Sequence, residues 1–385
     1  MSPETPLSIV HTEASTGWGG QEIRVLTEAA GFIARGHGVV VLAAEGARIV
    51  AEAPRFGVPA IALPIGEKRP RGAHALVRAL ATRRIDVLNA HSSTDTWLAA
   101  LACRWMDLRR RPRPVLVRTR HVSIPVPNDA ATRWLYRRAT DRIVTTGEAL
   151  RLQLIRDNGV DPERIDSVPT GIDARLYAGH HRADARRALD LPASALLIGI
   201  VATLRSWKGH RYLLEALARL AHRGAHLVIV GDGPQRAALE AQTDALKLRP
   251  RVTFAGQRDD VAPWLAALDV FVLPSYANEG VPQALLQAMF AGIPAVTTAA
   301  GAIPEIARDG DTARVVAMED PAALAAGIDG LLADADLAAR LAANARAFVA
   351  PRYGLETMLD RMEVVFRRAV AEHVAARNLT AAAAA

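Results

Sequence analysis

Four side chains sit where an alternating chain would expose its chemistry: Arg205, Lys208, Glu279 and Gln287. Arg205 and Lys208 lie in "LRSWKGH", between an apolar run and a helical one. The chain has 44 arginines and three lysines, so a lysine at 208 is a compositional exception. A compact ammonium beside Gly209, next to the fork of Arg205, suits a pyrophosphate. Ordinary loop charge is the alternative. Near the start, "STGWGGQE" places Gly17, Gly19 and Gly20 between a strand and a helix, where backbone N–H groups approach a phosphate at the positive helix end. The spacing is not GxGxxG and no ribose-binding acid follows ~20 residues on, which argues against a dinucleotide. A tight turn without a ligand is the alternative there. "VGDGP" (Val230–Pro234) is a further glycine-bearing strand–turn, able to approach a base or ribose.

The segment "NEGVPQALLQAM", residues 278–289, raises a sharper question. Glu279 stands bare before a helix that looks made for burial. Pro282 suits a first helical position. Leu285, Leu286, Met289 and Phe290 mark the core side, and Gln283 and Gln287, four apart, share another face. The N–H groups of such a helix point back toward the strand ends. The plain alternative is that Glu279 is a surface cap and Gln287 a satisfied polar group.

These residues need a scaffold of parallel strands. "LSIVH", "HGVVVLAA", "VPAIALP", "IDVLNAH", "PVLVRTRH" and "DRIVTTG" are short apolar runs separated by helical stretches. Continuous apolar strands between helices argue for a parallel sheet covered on both faces. Residues 172–192 are polar and lack strand signals, so the hinge is expected there. The alternation restarts with "LLIGIVATL" and continues through "AHLVIVGDG", "RVTFAGQ", "VFVLPS" and "IPAVTT". The expected fold class is α/β: two tandem doubly wound, Rossmann-like domains, with ligands at the carboxyl ends of the strands. The expected boundaries are 1–180, 181–352 and a final amphipathic helix at 353–378.

Composition narrows the classes. The chain has 385 residues, half of them apolar and 5% aromatic, which supports two aliphatic cores. No run of ~18 apolar residues is present, so no spanning helix is expected. "MSPETPLSIVHTE" has neither a basic start nor a long apolar run, so no signal peptide is expected. One cysteine, Cys103, forms no internal disulfide and suits a reducing compartment. The expected location is the cytoplasm, or its membrane face. Residues 1–190 carry 28 Lys+Arg against 20 Asp+Glu, a net of +8, and the remainder 19 against 20, a net of −1. The excess is densest from Arg104 to Arg120, with seven arginines and one acid. A solvated basic face, an anionic membrane surface and nucleic acid are the three readings. The absence of a zinc-finger or RNA-recognition signature disfavours nucleic acid.

The combination resembles the GT-B-fold, retaining glycosyltransferases of family 4. Their pattern is E-x7-E in "EGxPxxLLEAMAxGxPVV…GGxPEI", and this chain reads "EGVPQALLQAMFAGIPAVTTAAGAIPEIARDG". "TGID" at 170–173, "RSWKG" at 205–209, "VGDGP", "FAGQRDDV" and the early glycine loop extend the resemblance over almost the whole chain. The resemblance implies two domains facing a central cleft and a last helix returning to the first domain. It implies that Gly19 and Gly20 border the donor and that Arg205 and Lys208 hold its diphosphate. Gln283 and Ala284 would offer backbone N–H groups to the distal phosphate, and Gln257 and Arg258 would edge the nucleobase. Glu279 would bind the donor sugar's hydroxyls and steady the reacting centre. His121 would lie near sugar and acceptor, a satisfied loop histidine being the alternative, and His91 is a weaker candidate of the same kind. The second Glu of the pattern is Gln287 here, which keeps a ribose contact but gives up a charge-assisted one.

The resemblance therefore implies transfer of a hexose from a nucleotide diphosphate, a UDP-sugar favoured, with retention and without a cofactor or metal. "DGD" (Asp309–Asp311) and "DAD" (Asp334–Asp336) match the DxD of metal-dependent transferases but are read as accidental. The acceptor expected is a cell-envelope glycan or glycolipid, lipopolysaccharide-type favoured, reached through an anionic membrane surface docked by Arg104–Arg120. Trp105, Trp134 and Tyr136 pair aromatics with those cations and with Arg137 and Arg138. The rival readings are a nucleotide-sugar-binding scaffold with little activity and an epimerase or phosphorylase on the same fold.

Overall fold

The structure, a computed structural model, describes residues 5–82, 84–122 and 124–384, the side chains of 380–384 excepted. It divides into two units: residues 1–169 with 358–385, and residues 170–357.

The first unit is built on seven strands: β1 (Ser8–Glu13), β2 (Gly38–Ala44), β3 (Ala60–Leu63), β4 (Val87–Ala90), β5 (Val115–Arg120), β6 (Arg142–Thr145) and β7 (Ile165–Ser167). They run in the order β3-β2-β1-β4-β5-β6-β7, every pair parallel. The sheet is covered by helices, so its strands read as apolar runs rather than alternations. The helix Gly20–Ala34 buries Val25, Leu26, Ala29 and Phe32, spaced for one helical face. The last helix, Leu355–Ala384, belongs to this unit from Met358 onward. Its Leu359, Met362, Phe366 and Ala369 are buried, with Phe366 packed 5.5 Å from the Phe32 ring. Arg142 ties it further, reaching Asp166 at 2.6 Å and Glu372 at 3.0 Å.

The second unit has six strands: β8 (Leu197–Val201), β9 (His226–Val230), β10 (Val252–Gly256), β11 (Val270–Leu273), β12 (Ala295–Thr298) and β13 (Arg314–Val316). Their order, β10-β9-β8-β11-β12-β13, repeats the pattern of the first sheet, again all parallel. The helix Gln283–Phe290 buries Leu285, Leu286, Ala288, Met289 and Phe290.

Eleven strand segments read from the sequence are present; β7 and β13 are additions. Each has three residues, too few to show a period. The chain passes between units at Pro169/Thr170, not at 180/181, and returns at Met358, not at 353. The polar stretch 172–192 is part of the second unit and not a hinge. It contains the helix Arg182–Ala188, in which Arg186 is buried. Arg186 donates to the carbonyls of Ala267, Ala193 and Ala195 and pairs with Asp269 at 2.6 Å. A charged side chain satisfied this way leaves no apolar trace in the sequence.

Candidate functional site

In the second unit the strand order reverses between β8 and β11. A crevice at the carboxyl ends of the strands opens at such a reversal. The loop after β8 carries Arg205 and Lys208, and the loop after β11 carries Ser275 and Glu279. Lys208 Nζ stands 2.6 Å from Glu279 Oε1, and the Ser275 hydroxyl donates to the same oxygen at 2.6 Å. Glu279 is 4% exposed, so it is not the bare residue expected. Its charge is compensated by a lysine 71 positions earlier, which no local pattern displays.

Two glycines make that closeness possible. Gly209 has φ +76°, and a Cβ there would run into the carbonyl oxygen of Pro274. Gly301 has φ +55°, and its Cβ would strike the backbone of Glu279. Only glycine takes this conformation with backbone pressed against it. Asn278, just before Glu279, also has positive φ at 59°, one of the side chains that tolerates the left-handed region.

The helix Gln283–Phe290 starts one residue later than expected, with Pro282 at its N-cap. The first intrahelical bond runs from Leu286 N–H to Pro282 C=O, leaving the amides of Gln283 and Ala284 without intrahelical acceptors. Gln283 Oε1 is buried with no hydrogen-bond partner. Gln287 is half-buried, on a helix packed against the turn Ala174–Tyr177, where burial pushes the ionisation of Tyr177 up. Tyr177 lies in the stretch read as hinge, so its place beside Gln287 was not anticipated. Arg205 is exposed, its guanidinium 5.7 Å from the Trp207 ring centre. Gln257 and Arg258 are exposed after β10, with Arg258 5.1 Å over Trp264. The two DxD matches are structurally engaged: Asp309 accepts from Val315 N–H and Asp334 caps the helix Ala335–Tyr353 through Leu337 N–H, each at 2.9 Å. Among the described residues, no group of three His, Cys, Asp or Glu is arranged to hold a metal ion.

The first unit has its own reversal, between β1 and β4. The carboxyl ends of β1, β4 and β5 bring together His11, His91 and His121. His11 Nδ1 lies 2.9 Å from His91 Nε2, and His91 Nδ1 lies 2.9 Å from His121 Nε2. Burial, first, and the Arg24 guanidinium lower His11 to about 3. His91 and His121 are held well below the usual histidine range, chiefly by burial, then by the neighbouring rings and arginines for His91 and by Arg24, Arg118 and Arg120 for His121. Asp95 accepts from Thr12 Oγ1 at 2.7 Å, from the amides of His91 and Ser92, and closes a capping box for the helix Ser93–Leu108. Glu13 accepts from Ser15 N–H and the Gln21 amide; burial, with Asp95 nearby, raises it to about 8. Gly19 is the N-cap of the helix Gly20–Ala34, and Gly20 is exposed at its first turn. His11, Glu13 and Asp95 were not picked out from the sequence. Their signal was a polar residue inside or beside an apolar run, which is weak on its own.

The basic segment is not one surface. Arg118 and Arg120 are buried in β5: Arg118 donates to Ser92 O and Thr96 Oγ1, and Arg120 to the Tyr136 hydroxyl. Tyr136 is thereby buried too, not a surface aromatic. Arg113 pairs with Asp141 at 2.6 Å. What remains outside is Arg104 and Arg109–Arg111, beside exposed Leu101, Trp105 and Leu108. Arg109 and Arg111 lie 5.3 and 5.5 Å from the Trp105 ring centre. Next to them, a cleft of about 500 Å³ is lined by Trp97, Leu101, Trp105, Lys68, Arg69 and His74. No helix among the described residues is long and apolar enough to cross a membrane.

The comparisons agree with this architecture. Residues 195–334 match the family model "Glycosyl transferases group 1", and residues 18–176 match "Glycosyltransferase Family 4". The chain is 32% identical over 282 residues to the lipopolysaccharide core biosynthesis glycosyltransferase LpsE of Rhizobium meliloti, covering 70% of this chain and 79% of that one. It is 31% identical over 247 residues to a D-inositol 3-phosphate glycosyltransferase of Mycobacterium marinum, where the match covers 62% of this chain and about half, 52%, of the relative's length. Its fold is that of Anabaena HepE, solved with UDP and glucose, at a TM-score of 0.83 and 21% identity over 94% of this chain and 99% of that one. With two strand-order reversals, a lysine–glutamate pair at one of them and this pattern of matches, the chain belongs to the family 4, group 1 glycosyltransferases of the GT-B type.

Proposed function

We propose that the enzyme moves a hexose from a UDP-sugar to a cell-envelope glycolipid or glycan of the lipopolysaccharide type, with retention at the anomeric carbon and without a metal. The observation that carries the reading is the Lys208–Glu279 pair beside Arg205 and the free helix amides of Gln283 and Ala284. A leaving diphosphate needs cations and N–H donors aimed at it, and these four groups supply them. The Glu279 carboxylate binds sugar hydroxyls and keeps Lys208 oriented. The transition state has oxocarbenium character, so positioning and leaving-group stabilisation do most of the work, and the departing diphosphate takes the acceptor's proton. Gly19 and Gly20 border the donor, Gln257 and Arg258 edge the base, Gln287 meets the ribose, and His121 lies near the sugar and the acceptor. HepE, a neighbour in fold, is a UDP-binding protein, and LpsE is a relative that builds lipopolysaccharide core; both support the choice of donor and acceptor.

The helix Ser93–Leu108 supports docking on the cytoplasmic face of a membrane. Its exposed leucines and Trp105 are ringed by arginines, the composition of a helix that rests at an anionic interface. Thermal shift with UDP-, GDP- and ADP-glucose tests the donor: stabilisation by the UDP-sugar alone is expected, and stabilisation only by another nucleotide overturns the choice of base. Mass spectrometry of a lipopolysaccharide-core acceptor incubated with UDP-glucose or UDP-galactose then reads a gain of one hexose; loss of UDP-sugar without transfer would overturn the acceptor.

A further inference from the structure

The three histidines of the first unit form a directed hydrogen-bond chain, and we infer that it holds His121 as a neutral ring with its proton on Nδ1, so that His121 works as a hydrogen-bond donor and not as a base. His11 and His91 are then positioning residues. The inference rests on the proposed role of His121 on the acceptor side and goes on to its tautomer.

The geometry leaves two arrangements. Both contacts are nitrogen to nitrogen at 2.9 Å, and each holds one hydrogen. Ring centres are 5.2 Å apart in both pairs, with planes inclined by 27° and 32°, close enough to coplanar for in-plane N–H···N bonds. A neutral imidazole has one N–H and one lone pair. Fixing one ring therefore fixes all three. In one arrangement His11 Nδ1–H donates to His91, and His91 Nδ1–H donates to His121 Nε2. His121 then carries its hydrogen on Nδ1. In the other, every bond runs backward, and His121 Nδ1 is a bare lone pair.

The buried end decides between them. His11 is fully buried, and its Nε2 has no hydrogen-bond partner. The backward arrangement would put an unpaired N–H there, on the side of Arg24, whose charge is offset in part by Glu28 at 3.5 Å but still lowers all three rings. An orphaned buried donor is the costlier defect, and a cation repels its hydrogen. The forward arrangement leaves only a lone pair at that end, turned to a positive field that favours it. The charges around the chain agree with neutral rings. Arg24 from the helix Gly20–Ala34 and Arg118 and Arg120 from β5 are positive neighbours. Asp95, the nearest acid by bonding, is occupied by Thr12, Ser92 and the amide of His91. At the other end His121 is half-buried, and its Nδ1 takes no hydrogen bond among the described residues. What the chain presents there is an N–H, which suits a sugar hydroxyl oxygen or an anionic oxygen.

The test needs no substrate. Full-length protein labelled with ¹⁵N-histidine gives, by two-bond ¹H–¹⁵N correlation near neutral pH, the tautomer of each ring, assigned with His121→Gln. The neutral Nδ1–H pattern for His121 is expected; an Nε2–H or cationic pattern overturns the inference. His91→Asn places an amide N–H where Nδ1 was and should keep that pattern, while His91→Leu should release His121 to a mixture; no change in His91→Leu overturns the chain. If the leucine variant does not fold, the wild-type spectrum alone still decides. In hexose transfer from UDP-glucose, His121→Asn keeps a donor at the Nδ1 position and should stay within about tenfold of wild type, against a loss of about 10²-fold for His121→Ala. A base could not be replaced by asparagine, so equal loss in both variants counts against the donor role. An enzyme that proves inactive with every donor while showing the Nδ1–H spectrum would refute the proposed function and leave the tautomer standing.

Discussion

Lys208 and Glu279 meet at 2.6 Å across the ends of β8 and β11, with the Ser275 hydroxyl on the same carboxylate oxygen. Two loops 71 residues apart in the chain are thereby locked at the strand-order reversal of the second unit. The pair is nearly buried, and breaking it from either side leaves an uncompensated charge.

On the proposed reading, in which the carboxylate acts on the sugar and on the lysine together, Glu279→Gln should lower turnover by about 10²-fold. Lys208→Ala should cost as much in turnover and also weaken UDP binding. Steady-state kinetics with the UDP-sugar, alongside titration calorimetry with UDP, separates the two variants. Unchanged turnover in Glu279→Gln would sink the catalytic assignment of that residue.

Gln287→Glu restores the carboxylate of the E-x7-E pattern. A charge-assisted ribose contact adds about 1 kcal/mol, so UDP should bind about fivefold more tightly. The Tyr177 hydroxyl beside position 287 is a ready donor to the new carboxylate. Calorimetry on both proteins reads the change, and weaker binding would show that Gln287 does not face the ribose.

Gly209→Ala should cost about 2–4 kcal/mol, since a left-handed backbone and a collision with the Pro274 carbonyl act together. A fall in Tm of more than about 5 °C is the expected reading in differential scanning calorimetry. The same exchange at Gly36, where φ is +86° but the space is open, should cost only the backbone strain of ~1 kcal/mol.

Stability should depend on pH through the histidine chain. His11 is lowered to about 3, and His91 and His121 are lowered as well, so below 6.5 the unfolded chain binds protons that the folded one refuses. Stability is then fully present above the unfolded value and lost as pH falls from about 6.5 toward the folded value, at up to ~1.4 kcal/mol per pH unit for each ring. Urea titrations from pH 7.5 to 5 check the slope, and His11→Asn should flatten it.

Glu13 works with the opposite sign. Its folded value of about 8 lies above the ordinary 4.5, so its contribution is complete below 4.5 and disappears as pH rises through about 8. Glu13→Gln should therefore be more stable than wild type at pH 9, by a smaller margin at pH 6, and close to it at pH 4. Melting curves at the three pH values decide it.

Much of this molecule is written locally. Short apolar runs between helical stretches specify parallel strands buried on both faces, because such strands have no polar side to alternate. Glycines and a rare lysine after the strands single out the loops where backbone can approach a ligand, and the spacing from Glu279 to Gln287 places a glutamate before a helix and an amide on it. What tertiary structure alone decided is pairing over distance. Glu279 is buried, not bare, because Lys208 reaches it from another loop. Arg118 and Arg120 leave the basic surface because Ser92, Thr96 and Tyr136 accept from them inside. His11, His91 and His121 become one chain only when β1, β4 and β5 lie side by side. A buried polar group is tolerated when its partner arrives from elsewhere in the fold, and that partner leaves no mark on the residues around it in the sequence.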